Sequence, residues 1–133
     1  MNREERVRAA VEGRQPDRVP VSVWMHISDK DQDPRSLAEA MVEFNEKYDY
    51  DFIKMMPFGA YTIPDWGAKL DVYCDRYKEV EIAASGISSR EDYKCIEPLP
   101  AIYGTWGKVL QLSRWLERLA KPGTPYIQTI FSP

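Results

Sequence analysis

The chain is 133 residues long, 44% hydrophobic and 29% charged, with a formal net charge of -3 and 10 prolines. That length fits one domain with a real core, and the balance is that of a globular chain rather than a disordered one. No basic stripe marks a nucleic-acid surface, no run nears the ~20 apolar residues of a membrane span, and the charged start lacks the apolar region of a secretory signal.

Asn2 with Glu5 three residues on reads as a capping box opening a first helix, whose apolar face is Val7, Ala10 and Val11 and whose stop is Gly13. Pro16-Asp17-Arg18 then turns into Val19–Met25, a short β-branched run that predicts a first strand buried on both faces. The polar stretch from Ser28 leads to Asp33, an N-cap, and Pro34, a first helical residue. Leu37, Met41, Phe44 and Tyr48 fall on one face of that second helix, and Phe52–Met56 predicts a second strand. Strand, amphipathic helix and strand in this order make a βαβ unit with parallel strands.

The chain then loosens. Gly59–Gly67 reads as a loop on the C-terminal side of the second strand, and Val72–Ala84 as a hairpin-like excursion. Ser88 and Glu91 repeat the capping-box spacing and open a short helix to about Cys95. Thr105–Ala120 is the longest helical pattern, with Val109, Leu112, Leu116 and Leu119 on its core side and Lys121-Pro122-Gly123 as its stop. Tyr126–Phe131 predicts a third strand. Cys74 and Cys95 are too few for a disulfide framework and point to a reducing compartment, so the expected localisation is cytoplasmic. They share no metal-ligand spacing with His26, so no metal site is expected. No phosphate-cradling loop, nucleophile elbow or dinucleotide fingerprint occurs.

The helix Arg3–Ala10, the segment Pro16-Asp17-Arg18-Val19-Pro20-Val21, the stretch Asp51-Phe52-Ile53-Lys54 and the closing Pro125–Pro133 resemble, in this order, the N-terminal part of the uroporphyrinogen decarboxylase superfamily. The resemblance implies an α/β fold: about the first three parallel strands of a (β/α)8 TIM barrel with flanking helices, in one domain over residues 1–133. It also implies kinship with the porphyrin-pathway decarboxylase and with zinc-dependent corrinoid methyltransferases. True decarboxylases follow the first strand with Met-Arg-Gln-Ala-Gly-Arg, whose arginines meet substrate propionates. Here Met25 matches the methionine, while His26 and Lys30 stand at the two arginines, so the bidentate chemistry is gone. The essential aspartate after the family's second strand is also missing, since Met55-Met56-Pro57 stands there. Uroporphyrinogen itself is therefore not the expected substrate. The zinc of the methyltransferase branch is held by later strands, so no cofactor is expected within this chain, and zinc or a corrinoid belongs only to a full-length relative.

In a barrel the C-terminal ends of the strands form the catalytic face. His26, the only histidine, ends the predicted first strand, and Asp65 lies in the loop after the second. Both are candidate catalytic residues, as acid, base or hydrogen-bond anchor. Lys30 is a candidate for an anionic ligand, with Trp24 and Met56 as further substrate-binding candidates at the strand ends. The bland alternatives are a backbone-satisfied histidine, a solvated charged loop and ordinary turn chemistry at Pro64-Asp65.

Two functions fit. One is an enzyme portion, inactive alone, with the missing barrel half as its partner. The other is a non-catalytic binding or oligomerisation protein that covers its open sheet edges by homodimerisation. Either could bind a small molecule; neither predicts a nucleic-acid or membrane partner.

Overall fold

The computed structural model describes residues 1–130. Its elements are α1 (Arg3–Val11), α2 (Pro34–Tyr48), β1 (Ile53–Met55), β2 (Lys69–Asp71), β3 (Glu81–Ala84), α3 (Gly104–Leu119) and β4 (Tyr126–Gln128), with single 3-10 turns at Pro64–Trp66 and Glu91–Cys95. The architecture is mixed α/β. β1 and β4 pair in parallel, Ile53 opposite Tyr126 and Met55 opposite Gln128, while β2 and β3 form a separate antiparallel ribbon. The core lies between α2, α3 and β1, built from Leu37, Met41, Ile53, Met55, Phe58, Tyr61, Val109, Leu112 and Leu116.

The helices start where local chemistry satisfies their free amides. The Asn2 side chain accepts from the Glu5 N–H while Glu5 reaches back to the Asn2 N–H, the expected capping box. Asp33 accepts from the Ser36 N–H, with Pro34 behind it. The buried face of α1, however, is Arg6 and Ala9, and Val11 is 83% exposed. This corrects the apolar face expected at Val7, Ala10 and Val11. The physical reason is that α1 docks mainly through guanidinium groups beside the small Ala9 methyl: Arg3 bonds Glu46 and Asp49, and Arg6 bonds Asp17 and Asp51.

The predicted first strand, Val19–Met25, forms no ladder. Pro20 has no N–H to give. The Val21 N–H goes to the Asp51 carboxylate at 2.8 Å, and the Phe52 carbonyl is taken by the Ser22 hydroxyl and by Asn45 Nδ2. Side chains thus occupy the backbone groups that a ladder would use, and one backbone bond, Asp51 N–H to the Val21 carbonyl, remains. Nor is the segment buried on both faces: Val19, Val21, Val23 and Trp24 are all exposed. Contacts still rise together along the two segments, Val21 with Asp51, Ser22 with Phe52, Trp24 with Lys54 and His26 with Gly59. The Val19–Met25 segment therefore runs alongside β1 in the same sense without being a hydrogen-bonded strand.

Smaller differences follow the same logic. The hairpin excursion is present but begins at Lys69 rather than Val72. The short helix before Cys95 is a 3-10 turn, and Asp92, not Glu91, collects the Ser88 and Ser89 amides. The third strand covers Tyr126–Gln128 of the expected Tyr126–Phe131, and Phe131 lies outside the described residues.

Candidate functional site

Two polar constellations stand out, at opposite ends of the segment that runs beside β1. At its start, Asp51 is almost fully enclosed and accepts from Arg6 at 2.6 Å, from both terminal nitrogens of Arg18 at 2.5 and 2.8 Å, and from the Val21 amide. Burial opposes ionisation of this carboxyl. The Val21 amide and the two guanidiniums outweigh that and hold it below the usual carboxylate range. Asp17 receives Arg6 through Nε and one terminal nitrogen, and that guanidinium pulls its carboxyl far below the ordinary range. Both carboxylates are engaged by protein donors. The cluster ties α1, the Pro16–Val21 turn and the entry to β1 together, which is a structural use of its charges.

The other end, where β1 and β4 finish, has looser polar chemistry. The Trp24 ring meets the His26 imidazole edge-on at 5.8 Å between centroids, and Lys54 Nζ sits 4.1 Å from the centre of the same indole. His26 is half-buried and rests on Gly59, where a methyl group would stand 3.9 Å from its Cε1 and Nε2 atoms. Tyr61, 1% exposed, donates its hydroxyl to the Thr129 carbonyl just beyond β4 and packs edge-on against Trp106 of α3. Burial pushes the Tyr61 phenol up.

The five candidates from the sequence separate. Trp24 and His26 come together. Met56 lies in the core at 6% exposure. Lys30, 4.0 Å from Asp29, lines a groove of about 250 Å3 beside α2 with Met25, Ile27, Phe44, Lys47 and Arg76. Asp65 is committed to the start of α3: both its oxygens accept the Thr105 N–H, and one also accepts the Thr105 hydroxyl. An N-terminal helix cap is thus what this geometry makes of it.

The residue that sequence reasoning passed over is Asp31. Its loop reads as solvated, yet Ser28 and Asp31 are 4% and 7% exposed. The backbone bonds Lys30 N–H to the Ile27 carbonyl and Asp33 N–H to the Lys30 carbonyl fold the loop inward. The signal available was its position two residues before an N-cap followed by proline, which fixes the loop's exit. Burial pushes the Asp31 carboxyl up, against a Gln32 side-chain hydrogen bond of 2.8 Å and the charge of His26; Asp29 and Glu79 push it further up.

Among the described residues no group of three His, Cys, Asp or Glu side chains is placed to hold a metal ion, and Cys74 and Cys95 are exposed free thiols. Likewise, no helix is long and apolar enough to cross a membrane. No family model, no curated protein and no solved structure matches this chain.

Proposed function

We propose that this chain is the opening portion of a uroporphyrinogen decarboxylase-like barrel enzyme, of the decarboxylase or corrinoid methyltransferase type. On this reading it contributes one sector of an active-site mouth, does not act on uroporphyrinogen, and is inactive alone. The carrying observation is the parallel β1–β4 pair, with α2 packed against β1 and apolar residues of β4 and the flanking extended segments left open. Val19, Val21 and Val23 are 76, 48 and 48% exposed, and Tyr126, Ile127 and Ile130 are 39, 46 and 71% exposed. Alternating valines on an extended segment are interior chemistry, and in a closed barrel such residues fill the interior. The half-buried His26 and the Tyr61–Thr129 bond lie at the C-terminal end of the parallel pair, the end at which barrels place their chemistry.

In this mouth His26 would meet the ligand as a proton donor or hydrogen-bond anchor. Trp24 would give it an aromatic wall, and Lys54, over that wall, a cation. The test is co-expression with a polypeptide carrying the later strands of such a barrel. A compact one-to-one complex is expected, in which two amides gain protection from hydrogen exchange: that of Gln128, which faces away from the β1–β4 bonds, and that of Val23, which bonds no protein group among the described residues. The chain alone should form no coproporphyrinogen from uroporphyrinogen. Failure of such polypeptides to bind, or turnover by the chain alone, overturns the reading.

The same exposed residues favour a second reading, a non-catalytic protein that buries them against another copy of itself. Light scattering separates the two: a concentration-independent dimer supports self-association, and a monomer that closes only on the complementary strands supports the barrel.

A further inference from the structure

The loop that follows the extended segment, one face of α2 and the tip of the β2–β3 excursion meet around a groove of about 250 Å3. Its floor is apolar: Met25 and Ile27 come from the segment, Ala40 and Phe44 from α2. The Phe44 ring packs on the rings of Tyr48 and Tyr50, at 5.0 and 5.7 Å between centroids, which makes it a fixed surface. Trp24 and His26, whose rings touch, alternate along the segment with Met25 and Ile27. That alternation sets the groove on the reverse side of the segment from the Trp24–His26 pair. The groove is thus a separate place from the proposed mouth, and its reading does not rest on the barrel.

Three cations from three elements reach it: Lys30 from the loop, Lys47 from α2 and Arg76 from the excursion. They gather in a chain whose net charge is -3. Two carboxylates, Asp29 and Glu43, also line the groove, so its balance is a single positive charge. Contact does not cancel these charges. Lys30 stands 4.0 Å from Asp29, the longest ion pair among the described residues, while Lys47, Arg76 and Glu43 form none there. Lys47 Nζ instead lies 5.3 Å from the centre of the Tyr48 ring. A guanidinium and two ammoniums above an apolar floor complement an anion with an apolar body. The volume lies below the roughly 300–1,000 Å3 of sites for drug-sized ligands, which limits that body to one ring or a short chain.

We propose that this groove reversibly binds a small arylalkyl carboxylate. Arg76, whose planar fork has no carboxylate partner in the chain, takes the ligand carboxylate, with Lys30 and Lys47 beside it. The ring of the ligand lies on Phe44 between Met25 and Ile27. Asp29 and Glu43 disfavour a second negative charge, which selects a monoanion over a dianion.

The test titrates the full chain with three probes of one shape, hydrocinnamate, hydrocinnamide and phenylpropylamine, and reads amide proton–nitrogen spectra. Hydrocinnamate should give saturable shifts at Ile27, Phe44, Lys47 and Arg76. The carboxamide should bind about tenfold more weakly, and the amine should not bind. Arg76→Gln and Lys47→Gln should each weaken hydrocinnamate about two- to fivefold, and Glu43→Gln should tighten it by a similar factor. All three side chains are exposed, so these variants keep the parent fold, and a gain from Glu43→Gln does not arise from structural damage. Raising ionic strength from about 0.05 to 0.5 M should weaken the carboxylate and spare the carboxamide. Three results overturn the proposal: no saturable shift at these residues, equal affinity for carboxylate and carboxamide, or an Arg76→Gln chain that binds as the parent does. Shifts confined to Val19–Val23 and Tyr126–Ile130 would put the acid on the open sheet edge and overturn it equally. A barrel reading that failed through the absence of any complex would leave these titrations unchanged.

Discussion

Replacing Asp51 with asparagine should be among the most damaging isosteric changes available in this protein. The carboxylate is 1% exposed and accepts four hydrogen bonds: one from Arg6, two from Arg18 and one from the Val21 amide. The carboxamide keeps the shape and one acceptor oxygen, but loses the charge and turns donors towards two guanidiniums. Breaking a buried pair from one side costs about 3–5 kcal/mol. The Arg18 side chain is half exposed and regains water, so its share is discounted. A loss of about 3 kcal/mol is the expected result, against a total stability of about 5–15 kcal/mol for a domain. The variant should therefore remain folded at room temperature, with a melting point about 10–15 °C lower. Urea melts of Asp51→Asn, Arg18→Gln and the double variant form a cycle, in which the double variant should be less damaging than the sum. A single Asp51→Asn loss under about 1 kcal/mol would refute the idea that this cluster locks the first segment to β1.

Other outcomes follow from the same geometry. Gly104 has φ +50°, and a methyl group there would sit inside the Asp65 carboxylate, so Gly104→Ala should cost about 1–2 kcal/mol in a thermal melt. Asp65→Ala should cost about 1 kcal/mol through lost capping of α3, with Asp65→Asn retaining most of it. The carboxyls of Asp17, Asp33, Asp51 and Asp92 are all held below their ordinary range. Their stabilisation is complete above the unfolded value of about 3.9 and is lost as pH falls through the depressed folded values, so melting points should drop steeply below about pH 4. Asp31 has the opposite sign: burial raises its folded pKa, so its contribution is favourable below about pH 4 and is lost as pH rises. Asp31→Asn should accordingly raise the melting point at pH 7 relative to the parent, and the difference should vanish near pH 3. A parallel shift at both values contradicts the assignment.

How legible each part was in the sequence depended on the kind of force that fixes it. α2 and α3 could be read because most of their burial is apolar and periodic: Leu37 and Met41, and Val109, Leu112 and Leu116, are enclosed. Tyr48 of the expected α2 face is instead 51% exposed, and Asn45, which bonds the Tyr50 and Phe52 carbonyls, is buried in that turn. Their caps were legible where a single side chain does the work, as at Asn2 and Asp33. α1 was legible as a helix but not in its orientation, because the inward residue is an arginine whose partners, Asp17 and Asp51, are distant in sequence. No periodicity announces a buried ion pair. Asp31 was missed for a related reason, since a loop of charges looks solvated until its backbone bonds are known. Asp65 looked catalytic because its loop was placed correctly, while its partner at Thr105 lies 40 residues away.

The residues on which the proposed kinship rests therefore say less about chemistry than their density suggests. Arg6, Asp17, Arg18, Val21 and Asp51 lie in those segments, and in three dimensions they are one network. Their electrostatics hold a segment against β1 that its backbone, with Pro20 and diverted amide and carbonyl groups, cannot hold by a ladder. Anchored at Asp51, the segment can reach forward past Trp24 and deliver His26 over Gly59 at the far end of β1. A chemical function must then be sought at the delivered end and not in the motif. Near that end also lies Asp31, a buried carboxyl with no cationic partner among the described residues.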